Sequence, residues 1–310
     1  MSVQEVPAMP GKSFLVLEIG LLLLLSLIWG SSFTLIKVAI DTIPPLTMVA
    51  ARVSIAAVLL VAIARARGLS LPRGHKVWVA LFVQGLLQSA LPFTLISWGE
   101  KHMASGLAGV LNATPPIFVL LIGFAMSKGR RGIDIAKLAG VGLGLAGVIL
   151  TIGPGAIHGV GETAPFAQAA VLGASLCYAL AAMWGRRFSN VPAIVTAGGA
   201  MACAAALILP VAVVVDRPWT LNPSSDHVLA VLALAIICTA FAMVIYFRLV
   251  RTLGALGTTS GSYLRAGFAV LLGIVFLGES FTWETFAGMT MIVLGVLAVT
   301  LPRAKAGLDG

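Results

Sequence analysis

Residues 137–150 read KLAGVGLGLAGVIL, and residues 285–298 read TFAGMTMIVLGVLA. Laid over each other at an offset of 148, they pair Gly140 with Gly288 and Gly147 with Gly295. Two further stretches align at nearly the same distance. PIFVLLIGFAM (116–126) matches AGFAVLLGIVF (266–276) at 150, and WGSSFTLIK (29–37) falls on YALAAMWGR (178–186) at 149. Three matches at one spacing describe a chain built twice. Within the first stretch GLGLAG (142–147) fits the glycine pattern of dinucleotide-binding loops. It lies inside an apolar run with no strand before it, so its glycines are expected to let helices pack closely instead.

Composition says what medium the two copies occupy. Of 310 residues, 59% are hydrophobic and only 10% charged, and mean hydropathy is +1.06. A soluble domain carries about 25% charged residues. The chain therefore reads as an integral membrane protein. Crossing the hydrocarbon core takes about 20 apolar residues per helix. Ten such runs are found, at roughly 16–37, 46–64, 77–98, 104–126, 136–153, 165–185, 193–215, 228–247, 254–277 and 282–301. The first run is longer than the roughly 7–15-residue core of a signal peptide and no cleavage site follows it, so it is expected to remain as a span.

The net charge of +9 would suggest nucleic acid as partner in a soluble protein. Here the basic residues sit between apolar runs, so membrane topology explains them first and no nucleic acid is expected. With the N-terminus inside, 15 of the 20 basic residues fall on the inner side, among them Arg65, Arg67, Arg130, Arg131, Arg186 and Arg187. Only Lys37, Lys101 and Arg217 fall outside, while Arg52 and Arg265 lie within spans. Both termini are thus expected in the cytoplasm. Five spans per copy turn the second copy upside down. The expected fold is an all-α membrane protein of ten transmembrane helices, arranged as two inverted five-helix repeats, residues 1–153 and 154–310, around a central cavity. Such halves can exchange inward- and outward-open shapes about one site, which is a transporter design.

The stretches IWGSSFTLIKVA, AARVSIAAVLL, NATPPIFVLLIGF and LLGIVFLGESFT carry a resemblance to the drug/metabolite transporter superfamily, specifically its EamA-type permeases. It covers nearly the whole chain. The resemblance implies transport of small metabolites such as amino acids across a bacterial-type inner membrane. It also implies that spans one, three, four, six, eight and nine line the cavity, which adds Tyr178 as a candidate. The chain departs from the family pattern at two places. Pro116 keeps the proline of the Pro-x-Phe element, but Ala266 replaces its counterpart. Leu277-Gly278-Glu279 keeps the second-half corner, whereas the first half has Ser127-Lys128-Gly129.

Polar residues inside the spans are the candidate substrate path. Span nine carries Thr258, Ser262 and Arg265 at spacings of four and three, on one helical face. Span four offers Ser105, Asn112 and Pro116, span three Gln84 and Gln88, span eight Thr239 and Tyr246, and span one Trp29, Ser31 and Ser32. Pro115 and Pro116 are candidate hinges. The amides have a second reading as bonds between neighbouring helices, worth about 0.6 kcal/mol each. The hydroxyls have one as bonds to their own helix. Arg52, in the outer third of span two, reads as structural.

Arg265 lies near the midplane, where arginine costs at least about 2.5–3.5 kcal/mol. No carboxylate is found at its depth: Glu18 lies near the inner end, Glu100 and Glu279 near the outer face. Two explanations remain open, a substrate carboxylate held by the guanidinium or backbone carbonyls. No enzyme chemistry is expected, since His75, His102, His158 and His227 fall in loops without ligand spacing. No metal or cofactor site is expected either. The expected activity is alternating-access export or facilitated movement of amino acids by a monomer in the lipid bilayer. Export of cationic drugs or other metabolites is the alternative, and an intramembrane enzyme is the alternative from a different class.

Overall fold

The computed structural model describes residues 12–102, 108–109, 111–126, 134–152, 165–277 and 282–301. Ser105 and the Gly278-Glu279 corner lie outside the described residues. Every regular element among the described residues is helical. We label the helices α1 (Lys12–Ala39), α2 (Pro45–Ala66), α3 (His75–His102), α4 (Pro115–Met126), α5 (Ile135–Ile152), α6 (Pro165–Gly185), α7 (Ala193–Asp216), α8 (Ser225–Thr252), α9 (Gly254–Leu277) and α10 (Trp283–Thr300). Among the described residues seven of these, namely α1, α2, α3, α6, α7, α8 and α10, are long and apolar enough to cross a membrane, and α4 and the apolar part of α5 are shorter. Helices suit this medium because each satisfies its own backbone polar groups without water.

Lipid tails are as apolar as leucine, so helix pairs in a membrane are held by close fit. Small residues supply it here. An added Cβ on Gly147 would stand 2.6 Å from the carbonyl oxygen of Gly288, and one on Gly295 would stand 2.6 Å from that of Gly140. Gly140 therefore meets Gly295 while Gly147 meets Gly288, so α5 and α10 run antiparallel with their backbones nearly touching. The glycines of the opening motif are packing glycines. A second pair behaves likewise. Gly198 of α7 sits against Leu60 and Val61 of α2. At the other end, the N–H and hydroxyl of Thr47 both donate to Asp216 Oδ2, at 2.7 and 2.9 Å. The first turn of α2 has no side-chain cap of its own, so Asp216 from the end of α7 supplies the anion that a helix N-terminus favours. Thus α2 and α7 also run antiparallel.

Two helices carry a wide π turn, α3 at Leu86–Ala90 and α8 at Ile236–Phe241. Their starts differ by 236 − 86 = 150, the spacing at which the sequence repeats. Such turns are rare and concentrate at functional sites.

Span four departs from the continuous helix expected over 104–126. Residues 112–114 are not helical, and α4 starts afresh at Pro115. The cause is chemical. Pro115 and Pro116 would be the helical partners of the carbonyls of Leu111 and Asn112, and neither has an N–H to donate. Proline also disfavours the helical conformation in the residue before it. The corresponding stretch of the second half has Ala266 in place of proline, and α9 runs through it unbroken.

Candidate functional site

The break in span four opens carbonyls in the interior of the molecule, and neighbouring helices answer them. Ser175 Oγ of α6 donates to the carbonyl of Leu111 at 3.0 Å, and Thr114 Oγ1 donates to it at 2.7 Å. Arg265 Nη2 of α9 donates to the carbonyl of Asn112 at 2.8 Å, and Ser262 Oγ to that of Ala113 at 3.3 Å. A cation at the end of a helical segment is also favoured by the carbonyl dipoles that point at it. One reason for a charge at this depth is thereby plain: Arg265 bonds a carbonyl that Pro116 leaves without a partner.

One bond does not use up a guanidinium, which has five N–H groups. Nε and Nη1 of Arg265 make no hydrogen bond among the described residues, and the guanidinium lies 5.5 Å from the ring centroid of Phe33. The residue is 8% exposed. Its free edge borders a cavity between the two halves. That cavity, counted as space open to the centre of a water molecule, has a volume of about 60 Å³. Its wall includes Trp29, Ser32, Gln88, Asn112, Pro115, Tyr178, Tyr246, Thr258, Ser262 and Arg265. The polar stripe of α9 therefore faces the cavity along its length. Leu22 and Ile36 of α1 mark its two ends.

Several wall groups lack a protein partner. Asn112 Oδ1 and Nδ2, Gln88 Oε1 and the Tyr246 hydroxyl are buried without hydrogen bonds among the described residues. A buried polar group without a bond costs about 1–3 kcal/mol, and a cluster of them around a cavity is what a polar ligand would satisfy. Aromatic faces complete the wall. Trp29 packs 5.8 Å from Tyr246 by ring centroids, and its indole N–H donates to the carbonyl of Cys238 at 3.0 Å. Trp29, a candidate from span one, has its place here.

Four of the sequence candidates among the described residues lie off this wall: Gln84, Thr239, Pro116 and Ser31. For the first two, the π turns give the reason. Regular helical spacing puts Gln84 and Gln88 on one face. The wide turn beginning at Leu86 rotates them apart, so Gln88 faces the cavity while Gln84 lies fully buried near Gly185 of α6. Thr239 sits inside the π turn of α8, donates to the carbonyl of Leu234 at 2.8 Å, and supports an arginine instead. Ser31 donates to the carbonyl of its own helix at Ile28, 2.9 Å away.

That arginine is Arg52, to which its depth in span two assigned a structural role. It lines the same cavity and is 3% exposed. Its Nε donates to Thr239 Oγ1 at 2.5 Å, Nη2 to the carbonyl of Cys238 at 3.4 Å, and its guanidinium lies 3.9 Å over the ring of Phe93. Depth in a span gives no warning of this. A charge in the outer third can snorkel, and only the direction α2 faces turns it inward.

The Leu22 end of the cavity is closed. Ser26 Oγ donates to the carbonyl of Gly261 at 3.1 Å, and a Cβ on Gly261 would stand 2.8 Å from Leu22 Cδ1. One turn beyond Leu22, the fully buried Glu18 accepts from Arg248 Nε and Nη2 at 3.0 and 2.7 Å and from Thr252 Oγ1 at 2.8 Å. These bonds fasten α1 to α8.

Comparison with known proteins identifies the assembly. The chain matches the EamA-like transporter family twice, over residues 16–153 and 165–301. This chain belongs to the EamA-like transporter family. The two matches make it a tandem repeat of that family's unit, and the family is one of membrane transporters. It is 31% identical over 288 residues to the uncharacterized inner membrane transporter YedA of Escherichia coli, covering 92% of this chain and 90% of YedA. It is 26% identical over 289 residues to protein PagO of Salmonella typhimurium, covering 91% of this chain and 92% of PagO. A solved crystal structure shares the fold with a TM-score of 0.70 at 21% identity, over 92% of this chain and 96% of that one. The protein is thus a multi-pass membrane transporter of small molecules.

Proposed function

We propose that the protein is an inner-membrane exporter or facilitator of amino acids that works by alternating access, with both termini in the cytoplasm. All ten helices span, as two inverted five-helix repeats, residues 1–153 and 154–310, and a monomer suffices because one chain supplies both halves of the cavity. Several features support the inversion. Corresponding helices pack antiparallel, α2 against α7 and α5 against α10. The family matches the chain once per half, and the basic loops follow the second and fourth spans of the first half but the first and third of the second, which keeps them on one side as an odd number of spans requires. In this orientation the Glu18–Arg248 end is the cytoplasmic side, and it is closed. Export then requires α1 to part from α8 and α9 at that end. The family name and the inner-membrane location of YedA support the compartment.

The observation that carries the substrate reading is Arg265. Its guanidinium is buried beside the cavity, keeps N–H groups free, and has no carboxylate within ion-pair distance among the described residues. A substrate carboxylate would complete it with paired, charge-assisted hydrogen bonds. Gln88, Asn112, Tyr178, Tyr246, Ser262 and Thr258 would hold the remaining polar groups, with Trp29 and Ser32 along α1. A cationic drug would instead have to pass two guanidiniums in the wall, which speaks against that alternative. Purified protein in liposomes loaded with single unlabelled amino acids should drive uptake of the labelled one, above protein-free liposomes. If no amino acid in the full panel exchanges, the substrate class is wrong.

A further inference from the structure

The cavity holds two arginines, and the sum of charge around them bears on what it accepts. Arg52 and Arg265 come from α2 and α9 and are almost fully buried. Among the described residues neither is in an ion pair. Each is steadied only by neutral groups: a hydroxyl, a carbonyl and the Phe93 ring for Arg52, a carbonyl and the Phe33 ring for Arg265. Glu100, near the end of α3, lies off the cavity wall. Glu100 is buried, its two carboxylate oxygens accept no hydrogen bond among the described residues, and it shares its field with Lys37, whose Nζ donates to its backbone carbonyl at 3.2 Å. Neither Glu100 nor the exposed Lys37 lines the cavity, so its wall carries two guanidiniums and no carboxylate, a charge of +2. Tyr178 lines the same cavity and adds a neutral hydroxyl.

A neutral amino acid does not balance that sum. Its carboxylate would satisfy one arginine, but its ammonium would bring a further positive charge into a wall with no carboxylate to receive it. We infer that the cavity selects small dicarboxylates, one carboxylate on Arg52 and the other on Arg265, with acidic amino acids as the members of that class carrying an amino group. The two guanidiniums are anchored on different helices by different partners, which suits two separated carboxylates better than one compact phosphate dianion. Two bidentate contacts would also discriminate by geometry, since arginine's planar fork matches a carboxylate. The amino group of an acidic amino acid has acceptors at hand in Asn112 Oδ1 and Gln88 Oε1, both without partners.

This inference rests on the carboxylate reading of Arg265, and the test separates the two. Binding of aspartate, succinate, alanine and glycerol 3-phosphate would be measured calorimetrically on the full-length protein in detergent, for wild type, Arg52→Gln, Arg52→Lys and Arg265→Gln. Aspartate and succinate should bind wild type at least roughly tenfold more tightly than alanine, as a second charged hydrogen-bonding pair provides. Arg52→Gln should bring both down to the affinity of alanine, and Arg52→Lys should recover part of the loss. If alanine binds as tightly as aspartate and depends on Arg265, the dicarboxylate inference fails and the carboxylate reading stands. If glycerol 3-phosphate alone binds, or Arg52→Gln leaves aspartate and succinate unaffected, the inference is likewise overturned. If none of the four binds, the dicarboxylate inference falls, and the full amino-acid panel in liposomes decides the carboxylate reading. Should Arg52→Gln not fold, the wild-type ranking decides alone.

Discussion

Two of the places where this protein buries charge do so in opposite ways. At the Leu22 end, the carboxylate of Glu18 is fully buried and accepts three hydrogen bonds, two from Arg248 and one from Thr252. In the cavity, Arg52 and Arg265 are almost as deeply buried, yet their partners are hydroxyls, carbonyls and ring faces. The first cluster is complete within the chain. The second is short of negative charge. Taking charge out of water is expensive wherever it happens, and a charge that serves only the fold is expected to come with its counter-ion. The difference teaches where to look for cargo: at the cluster the protein leaves unfinished.

The comparison breaks most easily at the finished cluster. Arg248→Ala leaves the buried carboxylate of Glu18 with a single hydroxyl, and loss of one partner of a buried pair costs about 3–5 kcal/mol. Thermal unfolding in detergent should show its largest drop for this variant. Glu18→Gln should cost less, about 1–2 kcal/mol, because the side chain of Arg248 is 41% exposed and can turn to solvent. Equal losses, or the reverse order, would mean that burial does not control the pair.

At the unfinished cluster stability and transport should part company. Arg265→Ala frees the carbonyl of Asn112, a loss of about 1–3 kcal/mol, but removes a cation whose burial costs about as much. Its unfolding temperature should stay near wild type while transport is lost. A drop as large as that of Arg248→Ala would make Arg265 a structural residue. Thr239→Val is a finer probe. It removes the hydroxyl that accepts from Arg52 and should cost about 1 kcal/mol in stability, with a raised KM and little change in maximal rate. An unchanged KM would detach Arg52 from the site. Gly261→Ala should have the smallest effect. Its new methyl meets the flexible end of Leu22 at 2.8 Å and Ser26 Oγ at 3.0 Å, so α1 has to give slightly. Unfolding should change by less than about 1 kcal/mol, while the thiol of Ser26→Cys should react faster with a maleimide in the Gly261→Ala background than beside the native glycine.

Much of this is legible in the chain because it depends on counting. Apolar run lengths place the helices, and the glycines at 140, 147, 288 and 295 announce a close pair that the structure realises between α5 and α10. A lone arginine far from both ends of an apolar run marks Arg265. The depth of a residue is linear in sequence; the direction it faces is not, once a helix loses its regular turn. The π turns at Leu86 and Ile236 put Gln84 and Thr239 off the wall that regular spacing assigned them. Arg52 escapes for a related reason: counting yields its depth, while only packing shows it under the ring of Phe93. The Glu18–Arg248 pair joins residues 230 positions apart, a contact no local pattern announces. Pro115 and Pro116 flag a helix break, but that Arg265 bonds the carbonyl they strand depends on the neighbour across the break.

The most direct test of the central claim is amino-acid counterflow in proteoliposomes, comparing wild type with Arg265→Ala and Arg265→Lys at equal amounts of folded protein. If Arg265 receives a substrate carboxylate, wild type exchanges amino acids, the alanine variant does not, and the lysine variant is strongly impaired because an ammonium cannot reproduce the guanidinium's paired bonds. If both variants exchange substrate as fast as wild type, the arginine serves only the broken helix of span four, and the account of the cavity is wrong.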